Sequence, residues 1–498
     1  MPVTILKTRD GRLDTHDLPA FTQLSQRFDN TAAPLLIHFH GGLVDEASGI
    51  ATAERLSGKG PSAYNAPDDY EQLYLIWRSG LLETLSTNWR ELHQRDKLYR
   101  ALLGKLLEFI AKRLGFGFTD LLSDAESLAD TRLGVEQRLA LAAGAPFAEL
   151  DAYLAANRPA AEALNDAAFE IDLERELSVD PSLISAAQDI EAALLPGAES
   201  LRAFGDEIAG RAALTRLNPE ITGELRRAAL ARSGAEGFGF SVLKGLVVHG
   251  VKIGRRVWGR IRSGRDHGVH ATIIEEILRE LYGDHIGSAI WTLMKTDTAD
   301  HFNGRLGTQL LDLIERTQER KVLLIGHSAG AIFVCNLLLD WAKRETGRKM
   351  DVVLLAPAVR SRLFADTLDQ AAGGIARFRM FCLGEERERA DALLGDQYRF
   401  LYPSSLLYLV SGLFEDDAHE PLVDAPLLGM ERFQRWNAGS LGPDEDGAAQ
   451  TIKSYFENVE EPEIYSPSAR GPGLACDATT HGGLDDDPDT LASVRTFF

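Results

Sequence analysis

The sequence predicts an α/β protein: a mostly parallel sheet with helices on its faces, carrying a large, mostly helical insertion. Three observations lead there. Five short apolar runs each stop at Gly, Pro or Ser-Gly, as buried strands opening into loops do. Helical patterns lie between the later runs, and alternating strands and helices build parallel sheets. One gap, roughly 81–320, is far longer than a single crossover helix.

The first run is 34–39, PLLIHF, bounded by Pro34 and by Gly41-Gly42. The second is 73–78, LYLIWR, ending at Ser79-Gly80. The third is 321–325, KVLLI, followed at once by Gly326. The fourth, 351–356, DVVLLA, is stopped by Pro357. The fifth, 377–383, RFRMFCL, is stopped by Gly384. Helices are expected at 331–345 and at roughly 360–372. Asp487 reads as a helix N-cap and Pro488 as the first helical residue, so a final helix starts there. Between the second and third runs the chain is rich in Ala, Leu, Glu and Arg at helical spacing. These residues lose little entropy in helices, and about 200 residues of the gap read as helical. The expected organisation is an N-terminal core part at 1–90, a helical cap at 91–300 and a C-terminal core part at 301–498. A chain of 498 residues exceeds one ordinary domain and suits that division.

Composition excludes several classes. Apolar residues make up 45% and charged residues 26%, as in soluble globular proteins. A formal charge of −21 argues against a nucleic-acid partner, which needs an excess of Lys and Arg on one face. Three cysteines, Cys335, Cys382 and Cys476, form no CxxC pair and no disulfide framework. There is no apolar segment of signal-peptide type at the N-terminus and no run of 18 apolar residues, so a cytoplasmic location is expected.

One stretch departs from the acidic average. Residues 237–265 carry Lys244, Lys252, Arg255, Arg256, Arg260, Arg262 and Arg265 and no acidic residue. Leu243, Val247, Val251, Gly254, Trp258 and Ile261 fall near one helical face. Two readings follow: a peripheral membrane contact on anionic lipid, or a helix packed on an acidic core. Four interior glycines weaken the helix in either reading.

The chemistry centres on KVLLIGHSAG, where an apolar strand runs into Gly326-His327-Ser328-Ala329-Gly330 and a helix follows. This is G-x-S-x-G between strand and helix. The tight turn thrusts the Ser328 hydroxyl away from the sheet. Small residues at 326 and 330 let the backbone pass. The helix N-terminus brings N–H groups and a positive dipole end to the hydroxyl.

On these residues the chain resembles the α/β-hydrolase superfamily, and within it the lipase and esterase-like serine hydrolases. The resemblance covers about 34–80 and 320–498, not the insertion. It implies a triad in chain order serine, acid, histidine. Two histidines follow Ser328. His419 lies in an acidic stretch and reads as a solvated loop residue. His481 stands in a Gly-rich loop just before the final helix, where the resemblance places the base. The acid is expected after RFRMFCL, where Glu385, Glu386, Glu388, Asp391 and Asp396 all qualify by position. Asp391 is favoured because Ala-Leu-Leu-Gly follows it, resembling the family's short apolar turn. Glu385 and Glu386 lie nearer the strand end, which competes, and Glu388 stays open with them.

An oxyanion hole needs N–H donors aimed at the developing charge. Ala329 would supply one. The loop His38-Phe39-His40-Gly41-Gly42-Leu43 resembles the family's oxyanion loop, so Gly42 or Leu43 would supply the other. His40 is expected to bond loop backbone. His38 and His40 share a strand face, but no third metal ligand is apparent, and neither a metal nor an organic cofactor is expected.

The implied activity is hydrolysis of a carboxylic ester through an acyl-enzyme, on a small-molecule or lipid ester. The cap is expected to cover Ser328, and with 237–265 it tilts the reading toward a long acyl chain. A thioesterase, amidase or peptidase would use the same residues, and a non-catalytic scaffold is the rival from another class.

Overall fold

The structure, a computed structural model, describes residues 3–9, 11–30, 33–41, 45–77, 88–93, 95–115, 150–154, 166–195, 214–231, 238–283, 288–316, 320–396, 399, 401–415, 424–435, 441 and 443–498.

Eight strands form the central sheet: β1 Val3–Arg9, β2 Arg12–Leu13, β3 Leu35–Phe39, β4 Glu71–Trp77, β5 Val322–His327, β6 Met350–Leu355, β7 Ile375–Leu383 and β8 Glu463–Ser466. Their order is β2-β1-β4-β3-β5-β6-β7-β8, parallel throughout except for the β1–β2 hairpin. A short β9 Ser468–Ala469 and β10 Ala475–Cys476 pair beside it.

All five predicted strands form, with ends shifted by one to two residues. β1, β2 and β8 were not anticipated. In β1 the inward positions are Thr4, Leu6 and Thr8, so two polar threonines mask the alternation. β8 has four residues, too few to register as a run. The second run reaches back to Glu71 and Gln72, which are buried because Arg27 pairs with Glu71 at 3.1 Å and the Tyr74 hydroxyl donates to Gln72 at 2.8 Å.

Strand alternation divides the core into two layers. Leu35, Ile37 and Phe39 of β3 and Leu324 of β5 face one side with Leu354 and Met380. Leu36, Leu323, Ile325, Leu355 and Phe381 face the other. Helices Gly330–Ala342, Ser361–Ala371 and Pro443–Phe456 join the first layer; Glu46–Ser57 and Pro488–Val494 cover the second. Asp487 caps the last of these by accepting from Thr490 N–H, as predicted.

The described residues between β4 and β5 include helices Lys97–Arg113, Asp166–Ser178, Pro181–Leu194, Pro219–Leu230, Phe240–Ser263 and Val269–Ile277. Their buried side chains share one continuous apolar cluster with the first layer. The basic stretch is the longest of them, and its glycines do not interrupt it. They serve packing: a Cβ on Gly250 would stand 2.8 Å from Leu177, and one on Gly254 2.3 Å from Leu173. Arg256 and Lys252 pair with Glu280, Arg260 with Glu275 and Glu276, and Arg265 with Asp424. No described helix is long and apolar enough to cross a membrane.

Candidate active site

After β3 the chain steps outward to β4, then returns to place β5 on β3's other side. Such reversals open a crevice at the carboxyl ends of the strands, and ligands bind there in open α/β sheets. β3 ends here at His40-Gly41 and β5 at His327-Ser328.

Ser328 sits in the left-handed region at φ +52°, a conformation that costs a non-glycine residue about 1–3 kcal/mol. Its surroundings hold it there. Its N–H donates to Leu355 at 2.8 Å, and its carbonyl accepts from Ala331 at 3.1 Å and Ala358 at 3.0 Å. Both flanking glycines are required. A Cβ on Gly330 would lie 2.2 Å from the Phe39 carbonyl oxygen, and one on Gly326 2.9 Å from the Ala331 nitrogen.

The Ser328 hydroxyl meets His481 Nε2 at 2.8 Å. Burial, then the neighbouring His327, push the His481 imidazole down to about 3, so it is a neutral base near pH 7. Its Nδ1 is buried without a hydrogen-bond partner among the described residues. Of the two glycines after it, Gly483 is confined by its own loop, a Cβ there falling 2.7 Å from Thr480 Oγ1, while Gly482 faces open space.

Asp391 reaches His481 through the backbone: its Oδ2 accepts the His481 N–H at 2.8 Å. Burial raises the Asp391 carboxyl above its ordinary value. The other acidic candidates face elsewhere. Glu385 bonds Arg389 at 3.0 Å, Glu386 is exposed, and Glu388 is buried, which pushes its carboxyl well up. Asp396 pairs with Arg399 at 2.8 Å.

Ala329 stands immediately before helix Gly330–Ala342, where the first amides lack intrahelical acceptors. Gly41 passes directly beside the nucleophile: a Cβ there would stand 3.3 Å from Ser328 Cβ. Gly42, Leu43 and His419 lie outside the described residues. His38 accepts from or donates to the Tyr64 hydroxyl at 2.9 Å, and His40 Nε2 accepts from Trp77 N–H at 3.0 Å. His40 therefore bonds backbone at the end of β4.

Three residues escaped the sequence reading. The sequence places His327 in the turn alone and gives Asp485 and Arg55 no role. Asp485 Oδ2 lies 3.2 Å from His327 Nδ1, and Asp485 Oδ1 lies 3.0 Å from Arg55 Nη2. The acidic run Asp485-Asp486-Asp487 beside His481 was the available signal for the first. Arg55 carried none.

Ser328, His481, His327, Asp391 and Asp485 line a cavity of about 560 Å³ with Ala51, Leu393 and Leu406 among its apolar walls. No described residue of 88–316 lines it. The walls come from the segments after β3, β5, β7 and β10, helix Glu46–Ser57 among them. The geometry can activate a hydroxyl, place helix-terminal N–H groups beside a developing oxyanion and enclose one small apolar group.

No protein-family model matches the chain, and no curated protein or solved structure matches it.

Proposed function

We propose that the chain is a serine hydrolase cleaving a carboxylic ester through an acyl-enzyme. One observation carries the reading: a strained serine at a strand–helix turn, its hydroxyl 2.8 Å from a buried, neutral imidazole. His481 Nε2 takes the proton as Ser328 Oγ attacks the carbonyl. The tetrahedral oxyanion lies against the Ala329 N–H and the loop after β3. His481 returns the proton to the leaving alcohol, then activates water to release the acid. Asp391 is assigned as the acid because, of the sequence candidates, it is the one bonded to His481. The fold belongs with an α/β-hydrolase core, its helices between β4 and β5 forming the cap region.

The cavity supports a substrate with one apolar acyl group. About 560 Å³ lies within the usual range for small-molecule sites. The three cysteines are buried and free, which suits a reducing, cytoplasmic setting. The basic helix enters this reading as packing, since its apolar face is buried and its Lys252, Arg255, Arg256 and Arg260 hold acidic partners.

Labelling with a fluorophosphonate probe tests the reading. The wild type is expected to label, and Ser328→Ala and His481→Ala to lose it. An unlabelled wild type favours the scaffold reading instead. A panel of p-nitrophenyl esters, thioesters and anilides then separates ester from thioester and amide cleavage.

A further inference from the structure

The base is anchored at both ends of its own residue. Its N–H is held by Asp391, and its carbonyl oxygen lies 3.2 Å from His327 Nε2. The other nitrogen of His327, Nδ1, faces the Asp485 carboxylate at 3.2 Å. A carbonyl oxygen only accepts hydrogen bonds, and an ionised carboxylate only accepts. Both His327 nitrogens must therefore donate.

We propose that His327 is a buried imidazolium that positions the general base, tying the nucleophile's turn to the His481 loop through Asp485 and Arg55. This rests on the serine hydrolase reading. His327 touches no reacting atom and acts through His481. The strut matters because His481 Nδ1 has no partner among the described residues, so the ring is aimed largely by its backbone. Helix Glu46–Ser57 contributes Arg55, whose guanidinium bonds the Asp485 carboxylate at 3.0 Å and also pairs with Asp486 at 2.9 Å. One turn, one helix and the base's own loop thus close a circuit around the serine.

Other charged and titratable groups face His327 as well. Burial and Arg55 oppose its charge, and that charge in turn lowers the neighbouring imidazoles of His38 on β3, His40 just beyond it and His481. Burial is the largest influence and alone would lower the imidazole. The Asp485 charge and hydrogen bond and the His481 carbonyl outweigh it and raise His327 above its ordinary value. Asp485 is itself held down to about 2: burial would raise it, but His327 and Arg55 prevail. When His327 loses its proton at alkaline pH, one of its two acceptors is left facing a lone pair. The strut then loosens and the base is misaimed.

The test is the pH profile of kcat and KM on a p-nitrophenyl ester, with fluorophosphonate labelling alongside. The wild type is expected to show an alkaline fall in kcat. His327→Phe removes both bonds and should lower kcat by about 10²-fold with KM changed little, as for a displaced catalytic group. His327→Gln keeps a donor toward the His481 carbonyl but cannot be charged. It therefore matches the deprotonated imidazole, and should hold kcat near the wild type's high-pH level and abolish the alkaline fall. Asp485→Asn, which removes the charge that raises His327, should move the fall to lower pH. A His327→Gln profile that keeps the wild-type alkaline fall overturns the proposal while leaving a labelled serine intact. An unlabelled wild type removes the hydrolase reading and this inference with it. Should His327→Phe not fold, the Gln and Asn profiles decide alone.

Discussion

Ser328 and its neighbours are set by close contacts that tolerate no extra atom. The positive φ of the serine, the absent Cβ atoms of Gly326 and Gly330 and the 2.8 Å bond to His481 form one arrangement. The meeting of Ser328 with His481 was legible in the sequence, because a serine between two glycines at a strand end is a candidate nucleophile and His481 stands where a base would be needed. The acid was not. Five carboxylates fit by position, and only folding shows which approaches His481. Its approach is to the backbone, so its role is open to a sharp test. If Asp391 serves the imidazole of the catalytic residue, Asp391→Asn should lower kcat by about 10²–10⁴-fold with KM nearly unchanged. A loss under threefold, with Asp485→Asn far more damaging, would transfer the acid's role to Asp485.

At the scale of the element, helix Phe240–Ser263 is the instructive case. Its glycines read from sequence as weak points, and its arginines either as a surface for anionic lipid or as the basic face of a helix packed on an acidic core. In the fold Gly250 and Gly254 let helices Lys97–Arg113 and Asp166–Ser178 approach, with Leu102, Leu106, Leu173 and Leu177 in the space a side chain would need. The two views predict opposite signs for Gly254→Ala. On an exposed helix that change adds about 1 kcal/mol of stability through propensity. In a tight helix crossing it should destabilise by about 1–3 kcal/mol through overpacking. We expect the second, read as a lower midpoint in urea at unchanged slope. The same helix carries Arg260, fully buried against Glu275 and Glu276, and Gly412 lacks a side chain where the Glu275 carboxylate would collide with one.

The whole molecule stores protons asymmetrically. His38, His40, His93, His270, His301 and His481 are all buried, and burial is the largest cause holding each at about 3 to 4, against an ordinary 6.5. The folded chain thus refuses protons that the unfolded chain accepts below 6.5. Stability from these groups is complete above that value and lost as pH falls toward 4, each contributing at most about 1.4 kcal/mol per pH unit. His327 has the opposite sign: its contribution is complete below 6.5 and lost as pH rises through its raised value. Two buried carboxyls share the sign of His327, Asp151 raised to about 7 and Glu388 pushed well up, both chiefly by burial; the six imidazoles outnumber these three. Thermal unfolding should show Tm falling steadily from pH 7 to pH 5. A flat Tm across that window would mean that these histidines are charged in the folded protein.

What the sequence determined by itself was local. Apolar runs closed by glycine or proline become strands because buried backbone must pair within the sheet, and the G-x-S-x-G turn can be read within ten residues, although Gly330 makes room for the Phe39 carbonyl of the neighbouring strand. Tertiary structure decided what depends on distance in space rather than along the chain. Arg55 meets Asp485 across 430 residues, and His327 meets His481 across 154. β1 is buried by β4 despite its threonines, and a glycine-rich helix is kept by the leucines it lets in. Pairing energies and excluded volume act between atoms already brought together, so no pattern of spacing could announce them.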